Sequence, residues 1–201
     1  MSAPIEFYFD FSSPYGYLAS HRVEALAQKY GRGVDWRPML LGAAFKQSGM
    51  QPLTLIPLKG DYSRHDFHRS ARFHGVTDFR MPDKFPLPTQ AAARIMLSIK
   101  ARDPALAVRV AKALYRAFFF DNRDISDPDT AAAVAASAGV DRAAARAAID
   151  NPAIKEALKR EVDGAIARGV FGSPFIFVDG EPFWGFDRFD QIERWLATGG
   201  F

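Results

Sequence analysis

Strand signals, a two-residue apolar alternation at the start and an apolar run with a hairpin turn at the end, occur near the two ends of this chain and not in its middle. That distribution constrains the fold more than any other feature. Near the start, Ile5, Phe7, Phe9 and Phe11 alternate with Glu6, Tyr8 and Asp10, which predicts a β-strand over 5–11. Ser12-Ser13-Pro14 follows at once, and then Tyr15, Leu18, Ala19, Val23, Leu26, Ala27 and Tyr30 recur at helical spacing until Gly31. Serine as N-cap, proline at the first helical position and glycine past the end are the punctuation a helix needs. A short strand over 34–37 completes a strand–helix–strand opening. Near the other end, the apolar run Phe175-Ile176-Phe177-Val178 leads into Asp179-Gly180, a strong hairpin signal, and a second arm over 181–184. Pro182 has no N–H for a ladder, so that arm belongs at a sheet edge. A closing helix over 189–198 ends at Gly199-Gly200.

Between the ends the chain reads as helical. After an aperiodic loop over 46–57, helices are predicted over 61–74, 89–101, 104–120, 129–138, 141–149 and 152–168, from caps and helix-forming composition. With 48% hydrophobic and 24% charged residues in 201, the chain can bury a sizeable core. The expected fold class is α/β: one domain assembled from both ends, 1–45 and 169–201, interrupted by a loop and an all-helical insertion over 46–168.

Several function classes drop out on composition. There is no cysteine, hence no disulfide, no thiolate metal site and no cysteine nucleophile. Any sulfur chemistry must come from a ligand. The net charge of +3 comes from interspersed basic and acidic residues, without a polybasic tail, so no nucleic-acid partner is expected and a small anionic substrate fits as well. No apolar run approaches the roughly 20 residues that span a bilayer, and the first residues lack a basic-then-apolar leader. A cytoplasmic protein without a membrane partner is expected. Four histidines without carboxylate spacing predict no metal site.

Ser13-Pro14 is set where a strand ends and a helix begins, so its hydroxyl lies among unpaired backbone N–H groups at the positive end of a helix dipole. Such a place stabilises an anion, and plain N-capping accounts for the same serine. Gly169-Val170-Phe171-Gly172-Ser173-Pro174, directly ahead of the late strand, is where a thioredoxin-type fold keeps a cis-proline. Together with Asp10-Phe11-Ser12-Ser13-Pro14-Tyr15-Gly16-Tyr17-Leu18, Pro57-Leu58-Lys59-Gly60-Asp61-Tyr62 with Asp66, Asn122-Arg123-Asp124-Ile125-Ser126-Asp127 and Phe183-Trp184-Gly185-Phe186-Asp187-Arg188-Phe189, it makes five pieces in order. In these the chain resembles the 2-hydroxychromene-2-carboxylate isomerase and kappa-class glutathione transferase group, within the DsbA-like branch of thioredoxin folds.

That resemblance implies a DsbA-like fold and glutathione as cofactor. Ser13 would stand where a CxxC motif has its first cysteine and would contact the glutathione sulfur. Lys59 would lie near the tripeptide, the main chain of Ser173 before cis-Pro174 would pair with the cysteinyl backbone, and Asp187 would hold the γ-glutamyl ammonium. The implied activity is glutathione-dependent isomerisation of 2-hydroxychromene-2-carboxylate to trans-o-hydroxybenzylidenepyruvate in aromatic catabolism. The substrate would be a small aromatic carboxylate, its cation Lys59 or a basic residue of 61–74, and the assembly a homodimer. A kappa-like transferase and a catalytically silent thioredoxin-like binding protein are the alternatives; a disulfide oxidoreductase is excluded without cysteine. Three positions depart from the family: Met50 and Pro88 where asparagine is usual or common, and Phe186 where a polar residue is frequent. Read without the resemblance, Lys59 is equally a solvated surface lysine, Asp187 an N-cap of the last helix, and His65, His68, Arg69, Arg72 and His74 an exposed basic face. Phe118-Phe119-Phe120 and Trp184 read as core rather than ligand wall.

Overall fold

A computed structural model describes residues 3–201; positions 1 and 2 of the expected 1–45 segment lie outside the described residues. Four strands form one sheet: β1 (Ile5–Phe9), β2 (Val34–Pro38), β3 (Phe175–Val178) and β4 (Glu181–Trp184). Their order is β2-β1-β3-β4, with β1 and β2 parallel and the other neighbours antiparallel. Both chain ends thus meet in one sheet, and Pro182 lies on its edge strand. Phe7, Phe9 and Trp36 fill one face, with the Phe7 and Trp36 rings edge-to-face at 5.0 Å between centroids. Tyr8, Phe175 and Phe177 fill the other.

The first strand stops at Phe9, and the predicted helix to Tyr30 is two: α1 (Pro14–Ser20) and α2 (Val23–Lys29). At the break the Ser20 hydroxyl donates to the Tyr17 carbonyl at 2.6 Å. The His21 N–H turns to the Leu18 carbonyl at 3.3 Å. The predicted loop over 46–57 is corrected at its start by α3 (Leu41–Ser48), which ends where Gly49 takes a φ of 71°. A short 3-10 turn, Leu53–Leu55, follows.

The helical middle comprises α4 (Lys59–Phe73), α5 (Gln90–Lys100), α6 (Pro104–Phe119), α7 (Pro128–Ser137), α8 (Arg142–Asp150) and α9 (Pro152–Ala167), and α10 (Phe189–Thr198) closes the chain. Asp103, Asp127, Asp141 and Asn151 each cap a helix with a side-chain oxygen. One continuous buried core runs from the sheet through Tyr115 and Phe119 of α6 into Val134 of α7. Phe118 and Phe119 are buried as expected, whereas Phe120 is partly exposed. Among the described residues no helix is long and apolar enough to cross a membrane.

Candidate active site

The end of β1, the start of α1 and the loop before β3 converge on Ser13. As N-cap of α1, Ser13 has extended backbone angles, and its Oγ accepts the Gly16 N–H at 2.9 Å, one of the donors a helix start leaves unpaired. The same hydroxyl donates to the Ser173 carbonyl at 2.8 Å. Returning across this junction, the Asp10 N–H donates to Ser173 Oγ at 3.0 Å. Ser173-Pro174 is cis. A Cβ on Gly16 would stand 2.6 Å from the Tyr115 hydroxyl and 2.8 Å from Ser173 Oγ, so only glycine lets these groups approach the α1 terminus.

Beneath Ser13 lies Asp10, which the sequence reading gave no role. Its Oδ1 accepts the Ser12 N–H at 2.7 Å and the Thr89 hydroxyl at 3.0 Å, and its Oδ2 accepts the Leu41 N–H at 2.6 Å. Its carbonyl accepts the Tyr115 hydroxyl at 2.9 Å. One residue therefore ties together the starts of α3 and α5, the α1 loop and α6. Complete burial pushes its carboxyl upward, against the pull of those three donors.

Above this junction opens a cavity of about 1310 Å³, larger than the roughly 300–1,000 Å³ typical of a pocket for one small ligand. Ser13, Ser173, Pro174 and Asp187 all line it. Lys59 does not; it is exposed on the first turn of α4. Seven residues along, on the same helix face and about 10.5 Å further on, Asp66 does line it. Asp66 accepts the Tyr15 hydroxyl at 2.5 Å and pairs with Arg69. Burial raises the Asp66 carboxyl, yet these partners hold it below the ordinary range. Burial and the same Asp66 push the Tyr15 phenol upward, so it stays a proton donor.

Asp187 sits in a 3-10 turn before α10, its side chain 73% exposed and 3.3 Å from Arg188; the N-cap of α10 is Arg188. Trp184, expected in the core, instead stands half-exposed in the cavity wall against Gly172. The departures Met50, Pro88 and Phe186 all line the cavity, and the largely buried Phe186 ring lies edge-to-face with His74 at 4.6 Å and Phe189 at 5.8 Å. The basic face of α4 is exposed at His65, Arg69 and Arg72, but His68 and His74 are half-buried against Phe79 and Phe186. Among the described residues no three potential ligands gather as a metal site.

A sheet of this order, with a helix N-terminus facing a cis-proline loop and helices inserted between the two halves, defines a thioredoxin-type protein. The chain belongs to the family of DSBA-like thioredoxin domains, whose profile matches residues 4–197. Within it, 2-hydroxychromene-2-carboxylate isomerase of Pseudomonas sp. (strain C18) is 32% identical over 201 residues, covering 98% of this chain and 90% of that protein. Glutathione S-transferase kappa 1 of Homo sapiens is 26% identical, covering 96% of this chain and 92% of its own. A solved structure of 2-hydroxychromene-2-carboxylate isomerase superimposes with a TM-score of 0.83 at 27% identity, covering 97% of this chain and 94% of that one. The fold class and family expected from the sequence both hold.

Proposed function

We propose that this protein is a glutathione-dependent isomerase that converts 2-hydroxychromene-2-carboxylate to trans-o-hydroxybenzylidenepyruvate. The observation that carries the reading is a buried serine hydroxyl at a helix N-terminus, facing the cis-proline loop, in a chain without cysteine. The donor set fits glutathione. The Ser173 main chain beside Pro174 offers backbone pairing to an extended peptide, and Asp187, with Asp66 nearby, suits an ammonium group. Lys59, exposed and outside the lining, keeps only the place near the tripeptide that the resemblance implies. Bound glutathione would supply a thiolate that adds to the conjugated carbon of the ring-opened substrate, permits rotation about the resulting single bond and leaves again.

The protein's own part is to keep that sulfur ionised. A free thiol near pKa 8.5 is only a few per cent ionised at neutral pH. The α1 N-terminus and a hydroxyl donor favour the anion, and the Ser13 proton can turn from the Ser173 carbonyl to the sulfur without leaving its N-cap position. By kinship alone, the reading includes a cytoplasmic homodimer acting in the breakdown of aromatic compounds.

Turnover of 2-hydroxychromene-2-carboxylate should need substoichiometric glutathione and leave it unconsumed. One-for-one consumption would make the protein a kappa-like transferase, the second reading that the human relative favours. Equal turnover without glutathione would overturn both and favour a silent binder or another enzyme. Ser13→Ala should raise the bound thiol pKa by about 1–2 units, since a hydrogen bond to an anion is worth roughly 1.5–3 kcal/mol. Unchanged thiol titration would remove Ser13 from this role.

A further inference from the structure

The cavity carries charges of both signs. Its titratable acids near the surface, Asp66 and Asp187, come from α4 and from the turn after β4. Its cations are Arg188 and Lys46, and Arg188 is already taken, with Nη1 3.3 Å from Asp187 Oδ2. Lys46, exposed on α3, lines the cavity and makes no ion pair or hydrogen bond among the described residues.

The wall around Lys46 is apolar. Leu41 and Phe45 of α3, with Met50 and Leu53 beyond it, line one side; Phe85 and Leu87 line another. These sides are held together at their base, because the Leu41 N–H and the Thr89 hydroxyl bind the same Asp10 carboxylate, at 2.6 and 3.0 Å. Ser13 follows Asp10 by three residues, so the apolar cleft opens beside the proposed sulfur position. Lys46 is five residues from Leu41, about 7.5 Å along the helix axis, and shares a face with Gly42.

We infer that Lys46 is the carboxylate anchor of the second substrate, and that the α3 wall takes a flat aromatic or conjugated monocarboxylate with its ring between α3 and residues 85–88. This rests on the isomerase reading and moves the carboxylate cation from Lys59 or the 61–74 helix to α3. The charges sort the two ligands: the amino end of glutathione pairs with the acids, and the carboxylate of the substrate pairs with the free lysine.

The test is direct binding, measured by calorimetry on the protein in saturating glutathione with 4-phenylbutanoate and its neutral partner 4-phenylbutanamide. The wild type should prefer the acid by about tenfold or more, the size of a charge-assisted bond. Lys46→Met should abolish that preference while glutathione affinity stays within about twofold, and Lys46→Arg should keep most of it. The inference is overturned if Lys46→Met still prefers the acid, if its glutathione affinity falls instead, or if the wild type shows no preference or binds neither compound. Turnover of 2-hydroxychromene-2-carboxylate by the wild type is read separately. Its absence alongside a Lys46-dependent preference removes the isomerase reading and leaves the carboxylate subsite; its presence without that preference does the reverse.

Discussion

Removing the Asp10 carboxylate should loosen the whole floor of the site, and the size of the effect can be worked from its partners. Asp10→Ala leaves the Leu41 N–H, the Ser12 N–H and the Thr89 hydroxyl without their acceptor. A buried donor left unsatisfied costs about 1–3 kcal/mol, so three give an upper range of roughly 3–9 kcal/mol. Two terms reduce it. The variant no longer buries a carboxylate whose charged form burial disfavours, and water can enter from the cavity to serve the Ser12 N–H, which is only part-buried. A net loss of about 3 kcal/mol is expected, or roughly 6–12 °C in Tm for a chain of this size. Asp10→Asn keeps the Oδ1 acceptor and turns a second donor toward Leu41, so its loss should be smaller, about 1–2 kcal/mol. Urea unfolding followed through the buried Trp36 gives both values, and hydrogen exchange should accelerate first at the Leu41 amide. A loss under about 1 kcal/mol for Asp10→Ala, or an asparagine variant no better than alanine, would refute the argument that this carboxylate holds the three segments.

Gly172→Ala would place a methyl 2.2 Å from Trp184 Nε1, so the indole must leave the cavity wall; a glutathione affinity within twofold of wild type, measured calorimetrically, would contradict its place in the site. Acid should destabilise the protein in a defined window. Hydrogen bonding and charge from Arg168 hold the Glu6 carboxyl below its ordinary 4.5, and the Lys84 and Ser126 contacts hold Asp124 at about 2. Folded-state values below the unfolded ones mean stability that is complete above about pH 4.5 and is lost as pH falls toward 2. Arg168→Met should flatten the Glu6 share of that slope, and an unchanged slope in urea titrations at pH 5, 4 and 3 would show that Arg168 does not set it.

The sheet was legible because β1 carries a period-two pattern and β3 is an apolar run closed by the Asp179-Gly180 hairpin signal. Phe7 and Phe9 bury against Trp36 while Tyr8 packs on Phe177, and shifting the register by one residue would exchange the two faces. Helices with a proline at the first position and an acidic or amide cap were legible for a similar local reason. The break at His21-Arg22 was not, because a continuous apolar stripe crosses it. Nor was α3. It carries no proline and no polar cap; its entry is satisfied across the fold by Asp10, thirty-one residues away in sequence. A cap supplied from such a distance leaves no local signal.

The same distinction separates the site residues. Ser13, Ser173, Pro174 and Asp187 lie in contiguous motifs at the ends of sheet strands, and the topology brings those ends together. Lys46 lies on the helix whose cap is remote, so its face could not be assigned until the helix itself was. Phe186 shows a different effect, a residue that borders the cavity while most of its ring packs into the core. Its ring is 5% exposed, lies 4.6 Å from the His74 ring and has the Arg22 guanidinium 5.6 Å from its centroid. Burying a phenylalanine side chain stabilises a fold by about 1.5–3 kcal/mol, more than one exposed polar contact to a ligand commonly contributes. At this position the chain has an apolar anchor that fastens the turn carrying Asp187 to the end of α4. The carboxylate is thus positioned by packing from behind, and Asp187 and Arg188 remain the polar groups that this turn presents to the cavity.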